Sequence, residues 1–185
     1  MRYPTELNSL SKVTAKPEVE AHSGRLQEEL ARLLDLLTPS SVLCVGGPAE
    51  SLIASTMTTS SNVPVSTLSL DHIPSKLDEL PTCGLAYVHG AVERLPRSVA
   101  GMLLARLRDV SARHLLVHVG MGSGWPEHTS DWENNDLLAF GLIKAGEYTN
   151  GGLRAHIYQF NIFDYKLTPD WFNSQQWAHP HRWEP

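Results

Sequence analysis

A histidine and a glutamate follow one apolar segment of this chain at a spacing that suits acid–base chemistry. The segment 84–88 is followed directly by His89 and, four residues later, by Glu93. Imidazole titrates close to neutral pH, so His89 is a candidate general base or substrate contact, and the Glu93 carboxyl group could share that role. His89 could instead be an ordinary hydrogen-bonded histidine of a loop. The spacing alone does not decide between the two, because a motif without geometry is only a hypothesis.

Two further segments carry residue types that could hold a ligand. Gly46 and Gly47 follow the apolar run 41–45, and glycine allows a backbone to approach a bound molecule closely. We therefore expect a valine at Gly46 to abolish ligand binding and to leave the fold intact. Asp71 closes the run 63–70, where a carboxylate can accept hydrogen bonds from ribose hydroxyls. Asp71 could instead cap a helix or form a turn.

The remaining histidines do not combine into a metal site. His114 and His118 share one face of a predicted strand, but that spacing separates them by about 13 Å. His128 could join His179 and His181, yet these residues lack an acidic partner and the regular spacing of zinc ligands. The sequence therefore predicts no metal.

Hydrophobic periodicity divides the chain into alternating strands and helices. The predicted elements are, in order, a helix 23–38, strand 41–45, helix 49–58, strand 63–70, helix or turn 73–80, strand 84–89, helix 97–110, strand 114–119, helix 130–144, and hairpin strands 147–149 and 153–163. The helix 130–144 is predicted from a capping box of Ser130 and Glu133, and the hairpin from the turn residues 150–152.

This alternation predicts an α/β domain with an open, doubly wound, mostly parallel sheet that ends in an antiparallel hairpin. Ligands of such sheets bind beyond the carboxyl ends of the strands, beside the first strand. We therefore expect a small-molecule site at this edge, where Gly46, Gly47, Asp71, His89 and Glu93 follow their strands.

The order of the predicted elements resembles that of the class I S-adenosylmethionine-dependent methyltransferases, which have a Rossmann-like fold. The resemblance rests on the first strand, Val-Leu-x-Val-Gly at 42–46, on Asp71 after the second strand, and on the closing hairpin. The best local match is the segment 84–119, GLAYVHGAVERLPRSVAGMLLARLRDVSARHLLVHV, which looks like the strand, "LEHLP"-type loop, helix and strand of small-molecule methyltransferases. The resemblance as a whole covers residues from about 25 to 165.

The resemblance implies S-adenosylmethionine as cofactor and an unknown small molecule as methyl acceptor. It implies that Gly46 and Gly47 approach the cofactor and that Asp71 holds its ribose. It also implies that His89 or Glu93 contacts the methyl acceptor. The whole chain also looks like a small bacterial family of unknown function, which would supply a fold but no chemistry.

Three positions of the first loop differ from the methyltransferase pattern. Cys44 stands where the family has an acidic residue, and Pro48 and Glu50 stand where it has glycines. Pro48 has no amide N–H, and the Glu50 carboxylate would repel a ligand carboxylate near the helix N-terminus. The alternative function is therefore a degenerate, non-catalytic fold that acts as a binding or regulatory module.

Composition excludes several other classes of protein. The 185 residues carry a net charge of -5, which provides no general electrostatic attraction for nucleic acid. No segment approaches the roughly 20 apolar residues of a membrane helix, and the N-terminus does not resemble a signal peptide. Cys44 and Cys83 are too few for a disulfide framework, so we expect a cytoplasmic protein in a reducing compartment.

Both ends of the chain lie outside the predicted domain, which spans 23–166. Residues 1–22 are polar and are predicted to form a flexible arm. Residues 167–185 contain tryptophans at six-residue spacing, which fits neither a helix face nor a strand. They are Trp171, Trp177 and Trp183. We expect a strap packed on the domain through its indole rings; a protein partner is the second interpretation and a ligand lid the third.

Overall fold

The computed structural model describes residues 17–57, 62–150 and 153–161. Its elements are α1 (Pro17–Leu37), β1 (Val42–Val45), α2 (Gly47–Thr56), β2 (Val65–Leu68), a 3₁₀ turn (Leu70–His72), β3 (Cys83–His89), α3 (Arg97–Arg106), a π turn (Leu107–Ser111), β4 (Ala112–Gly120), α4 (Asn134–Ala139), β5 (Ile143–Asn150) and β6 (Leu153–Asn161). The tryptophans of the predicted strap lie outside the described residues.

The strands form one six-stranded sheet in the order β2-β1-β3-β4-β6-β5. The first four strands are mutually parallel, β6 is antiparallel to β4, and β5 pairs with β6 as a hairpin. The predicted fold class, a doubly wound and mostly parallel α/β sheet with a C-terminal hairpin, is confirmed. The turn at 151–152 lies outside the described residues, and the strands on either side of it pair as predicted.

Helices cover both faces of the sheet because the parallel strands are apolar on both sides. On one face, α1 and α2 bury Leu30 and Ile53 against the strands, and the fully buried Cys44 belongs to this core. On the other face, α3 buries Leu103 and α4 buries Leu137. The sheet thus lies between two separate hydrophobic cores, one on each face.

The helix predicted at 130–144 is wrong in both its start and its length. The helix α4 spans only Asn134–Ala139, and its capping box is formed by Glu133 and Asp136 instead of Ser130 and Glu133. The Glu133 amide donates to the Asp136 carboxylate at 2.9 Å. The chain turns at Gly141, whose φ of 75° favours glycine, and β5 begins two residues later.

The first helix starts earlier than its sequence pattern indicates. The helix α1 begins at Pro17, so it includes residues 17–22 of the predicted arm. Proline is well suited to a helix start because its missing N–H would have no partner within the helix there. Among the described residues, no helix combines the length and the apolar character needed to cross a membrane.

Candidate functional site

The carboxyl ends of the central parallel strands meet at one edge of the sheet. Val45 at the end of β1 pairs in register with Val88, and His89 at the end of β3 pairs with His118 on β4. The strand order reverses at β1, which has β2 on one side and β3 on the other. This edge is therefore the switch point at which open α/β sheets bind ligands.

The rings of His89 and His118 lie in contact at this edge, in a tilted arrangement. Their ring centroids lie 4.1 Å apart and the ring planes are inclined by 32°. Burial, with the nearby cation Arg94 as a smaller cause, lowers the pKa of His89 to about 4. Burial and the neighbouring His89 hold the pKa of His118 well below its usual range. Both imidazoles are therefore neutral at physiological pH.

The Nδ1 atoms of His89 and His118 are both buried, and neither has a hydrogen-bond partner among the described residues. Buried polar atoms are normally paired, so two adjacent exceptions indicate a place where a polar ligand or ordered water can bind. The even spacing of His114 and His118 in the sequence does not reveal that His118 pairs with His89. The signal that could have found it is that both residues lie at the carboxyl ends of neighbouring predicted strands.

Glu93, in the loop after β3, forms hydrogen bonds with the end of β4 and with the loop that follows it. Its side chain is 8% exposed, and Oε1 accepts a hydrogen bond from the Gly120 amide at 3.3 Å. Its backbone oxygen accepts from the amides of Thr129 and Ser130 at 2.8 and 3.0 Å. Burial raises the pKa of the Glu93 carboxyl group. His89 ends β3 and Glu93 lies in the loop that follows; the Glu93 side chain bonds to Gly120 at the end of β4, whereas the His89 ring contacts His118 within β4.

The loop after β4 packs two aromatic rings directly over the strand end. Trp125 and His128 stack with centroids 5.1 Å apart and planes inclined by 10°. A Cβ atom placed on Gly120 would lie only 2.7 Å from His128 Cε1 and 2.8 Å from Trp125 Cε2. His128 Nε2 also lies 4.0 Å from Glu93 Oε1. Gly120 is therefore required for this loop to close over the sheet.

Gly46 and Gly47 have different surroundings although they are neighbours in the sequence. Gly46 has a φ of 93°, and a Cβ atom on it would lie 2.2 Å from the His89 carbonyl oxygen. A Cβ atom on Gly47, the first residue of α2, would meet nothing within 4 Å. The expectation that Gly46 could become valine without harm to the fold is therefore wrong, because the end of β3 occupies the space. Open space lies at Gly47.

Asp71 lies further from its strand than predicted. The strand β2 ends at Leu68, and Asp71 is an exposed residue of the 3₁₀ turn 70–72. The residue before that turn is Ser69, so Asp71 does not serve as its N-cap. Asp71 is thus a turn residue, as one of the two alternative interpretations of the sequence has it, and its carboxylate is accessible beyond the carboxyl end of β2.

Comparisons with known proteins agree with this architecture. A family described as a family of unknown function (DUF6231) matches residues 24–185. The chain belongs to this family. The search of curated proteins gave no significant match for the DUF6231 chain.

Solved structures similar to the DUF6231 chain are S-adenosylmethionine-dependent methyltransferases. Magnesium protoporphyrin IX methyltransferase from Synechocystis PCC 6803, with bound S-adenosylhomocysteine, is 11% identical with a TM-score of 0.50, over 80% of this chain and 89% of that one. The Burkholderia thailandensis 1,6-didemethyltoxoflavin-N1-methyltransferase is 13% identical with a TM-score of 0.52, over 77% and 80%. The small RNA methyltransferase HEN1 is 12% identical with a TM-score of 0.55, over 91% of this chain and 28% of that one. The DUF6231 chain thus has a methyltransferase-like fold.

The carboxyl edge of the DUF6231 chain offers more to the hydroxyl groups of a ligand than to an ammonium or carboxylate group. Gly47 leaves open space and Asp71 offers a carboxylate for hydroxyl groups. Burial, with the charge of Glu50 as a smaller cause, raises the pKa of the Cys44 thiol to about 11, so this residue is neutral and cannot pair with an ammonium group. Pro48 provides no amide for a carboxylate.

Proposed function

We propose that the DUF6231 protein is an S-adenosylmethionine-dependent methyltransferase that acts on a small molecule at the carboxyl edge of its sheet. The observation that carries the proposal is the pair of buried Nδ1 atoms of His89 and His118 without partners among the described residues. A polar substrate group bound at this edge would supply a hydrogen-bond partner that the described residues do not provide. The methyltransferase-like fold supports the cofactor assignment, and the open space at Gly47 supports the position of the ligand.

Each candidate residue has a distinct role in this proposal. The carboxylate of Asp71 accepts hydrogen bonds from ribose hydroxyls, and Gly47 leaves room for the ligand beside α2. Gly46 allows the loop after β1 to pack against His89, so it affects the ligand only through the shape of this loop. Glu93 positions the loop after β4, which excludes water from the edge.

His89 serves as a substrate contact and not as a general base in this proposal. A general base is most effective when its pKa lies near the working pH, and burial lowers the pKa of His89 to about 4. A neutral imidazole still hydrogen-bonds an acceptor hydroxyl or amine and fixes its orientation. S-adenosylmethionine, when bound, supplies an electrophilic methyl group, and the protein contributes mainly by holding the acceptor in line with it.

Isothermal titration of the full chain with S-adenosylmethionine and S-adenosylhomocysteine tests the proposal. We expect saturable binding by the wild type and its loss in Gly47→Val, since the added side chain would enter open space needed by the ligand. Gly101→Ala is the matched control, because its Cβ atom would make an ordinary 3.5 Å contact with Phe140. The absence of binding to both ligands would refute the proposal.

A second candidate function is a binding or regulatory module without methyl transfer. The neutral, buried Cys44 and the Pro48 ring in the first loop favour it, because both reduce the contacts available to the amino-acid part of the cofactor. Such a module would use a protein partner, for which Trp171, Trp177 and Trp183 are the candidate contacts. A chain that binds neither ligand but retains a partner through these tryptophans would establish this alternative.

A further inference from the structure

A cleft of about 470 Å³ opens at the amino ends of β1, β3 and β4, on the opposite edge of the sheet from the candidate methyltransferase site. Hydroxyl side chains line much of it, among them Ser40, Thr82 and Ser111. Its volume lies within the range of about 300–1,000 Å³ that small-molecule pockets occupy. The cleft is thus large enough for a metabolite and distinct from the site described above.

Ser111 provides an unusual polar group in the cleft. The residue is 2% exposed, and its Oγ has no hydrogen-bond partner among the described residues. It ends the π turn Leu107–Ser111, which interrupts the regular geometry after α3. π turns are rare and occur frequently at functional sites. A buried hydroxyl without a partner, presented by an irregular turn, indicates that the wall of the cleft is built for a ligand.

The charged residues that line the cleft are one arginine and one aspartate, in a chain with a net charge of -5. Arg113 lines the cleft, is exposed, and forms no ion pair with the described residues. Asp109 also lines it, but both carboxylate oxygens accept hydrogen bonds from Arg108, at 2.6 and 3.0 Å. The Asp109 carboxylate is therefore paired with Arg108, and the Arg113 guanidinium is available to an anion.

We propose that this cleft binds the phosphate group of a small phosphorylated metabolite. The Arg113 guanidinium makes a charge-assisted contact with the phosphate oxygens, and the Ser111 hydroxyl donates to the same group. The hydroxyls of Ser40 and Thr82, exposed at the rim, contact the remainder of the molecule. The cleft volume favours a phosphate ester over the free ion.

Thermal shift and calorimetric titrations of the full chain with glucose 6-phosphate, inorganic phosphate and glucose test this site. We expect saturable binding of the ester at constant ionic strength, weaker binding of inorganic phosphate, and no binding of glucose. Arg113→Gln should weaken binding by about tenfold or more, because it removes a hydrogen bond to a charged group. The control Arg154→Gln removes an exposed arginine outside the cleft and should leave the affinity unchanged.

Ser111→Ala separates a binding role from a structural one. Removing a buried hydroxyl without a partner should not lower the melting temperature of the ligand-free protein, whereas the affinity for the ester should fall. Stabilisation by phosphate compounds that is equal in the wild type and in both cleft variants would overturn the proposal, as would the absence of saturable binding. Neither result would bear on the S-adenosylmethionine titration, which reports on the other edge of the sheet.

Discussion

A Cβ atom on Gly46 would lie 2.2 Å from the carbonyl oxygen of His89, so the end of β3 closes directly on the loop after β1. The same two loops meet again where Pro48 Cγ would lie 3.1 Å from a Cβ atom on Gly90. The two loops that border the candidate site therefore shape each other. Glycine at position 46 is a requirement of the fold before it is a requirement of any ligand.

We expect Gly46→Val to destabilise the fold by about 3 kcal/mol or more, because it combines a positive φ with a backbone clash. Urea denaturation of the wild type and the variant measures this difference. Gly101→Ala, a helical glycine with ordinary space at its Cβ position, should be neutral or slightly stabilising. Equal midpoints for the wild type and Gly46→Val would show that the β1 loop does not pack against His89 in solution.

The stability of the protein should depend on pH through His89. Its pKa is lowered from an ordinary 6.5 to about 4, so the unfolded chain binds the proton more readily than the folded chain. The contribution of the neutral His89 is fully present above pH 6.5 and is lost as the pH falls towards 4. The loss amounts to at most about 1.4 kcal/mol per pH unit.

His89→Gln should reduce the slope of unfolding free energy against pH between pH 6.5 and 4. The raised pKa of Glu93 makes the opposite contribution to the pH dependence of stability. Because Glu93 is present in both proteins, the difference between variant and wild type reports the contribution of His89. Denaturant unfolding at a series of pH values measures both slopes. Parallel curves for the two proteins would exclude a buried, neutral His89.

Glu93→Ala should release the loop after β4. The substitution removes the acceptor of the Gly120 amide, and a buried amide left without a partner costs about 1–3 kcal/mol. Amide hydrogen exchange over residues 121–130 should increase, and Glu93→Gln, which retains an acceptor oxygen, should restore most of the protection. Glu127→Gln is the control, because the exposed ion pair of Glu127 with Arg94 contributes little. Unchanged exchange in Glu93→Ala would remove the anchoring role.

Asp71→Ala should weaken an adenosine-containing ligand without changing the melting temperature. Each lost hydrogen bond to the carboxylate would reduce binding by about 1.5–3 kcal/mol, whereas the exposed Asp71 does not serve as the N-cap of its turn. The matched control is Asp78→Ala, which removes the same charge from another exposed position nearby. An equal loss of affinity in both variants would indicate a general charge effect and not a ribose contact.

The C-terminal segment should stabilise the domain. Three tryptophans within 167–185 would be an aggregation hazard in water, and burying several hundred Å² of apolar surface is worth several kcal/mol at about 25 cal/mol per Å². Truncation after Tyr165 should therefore lower the melting temperature or cause aggregation. An unchanged melting curve, with solvent-exposed tryptophan emission in the full chain, would favour a protein partner for this segment.

Local sequence patterns were sufficient for the fold class and insufficient for some element boundaries. The apolar runs around Val45, Val88 and Val117 are buried strands as predicted, because burial on both faces selects continuous apolar residues. The capping box was misplaced because Ser130, Glu133 and Asp136 offer two overlapping spacings. Only the packed structure decides between them. Ser130 Oγ accepts a hydrogen bond from Trp132 Nε1 and donates toward the backbone oxygens of Val92 and Leu95, so it is held against the loop after β3 and not at the start of α4.

The sequence determined which residue types stand at the ends of the strands, and thereby the edge at which a ligand would bind. The tertiary structure decided which of them meet. His89 and His118 are distant in the chain, and their rings are in contact because the register of β3 and β4 aligns them. Gly46 is required because β3 closes on it, whereas Gly47 faces open space. Strand register and loop packing are non-local properties, so hydrophobic periodicity, which reports each segment separately, does not contain them.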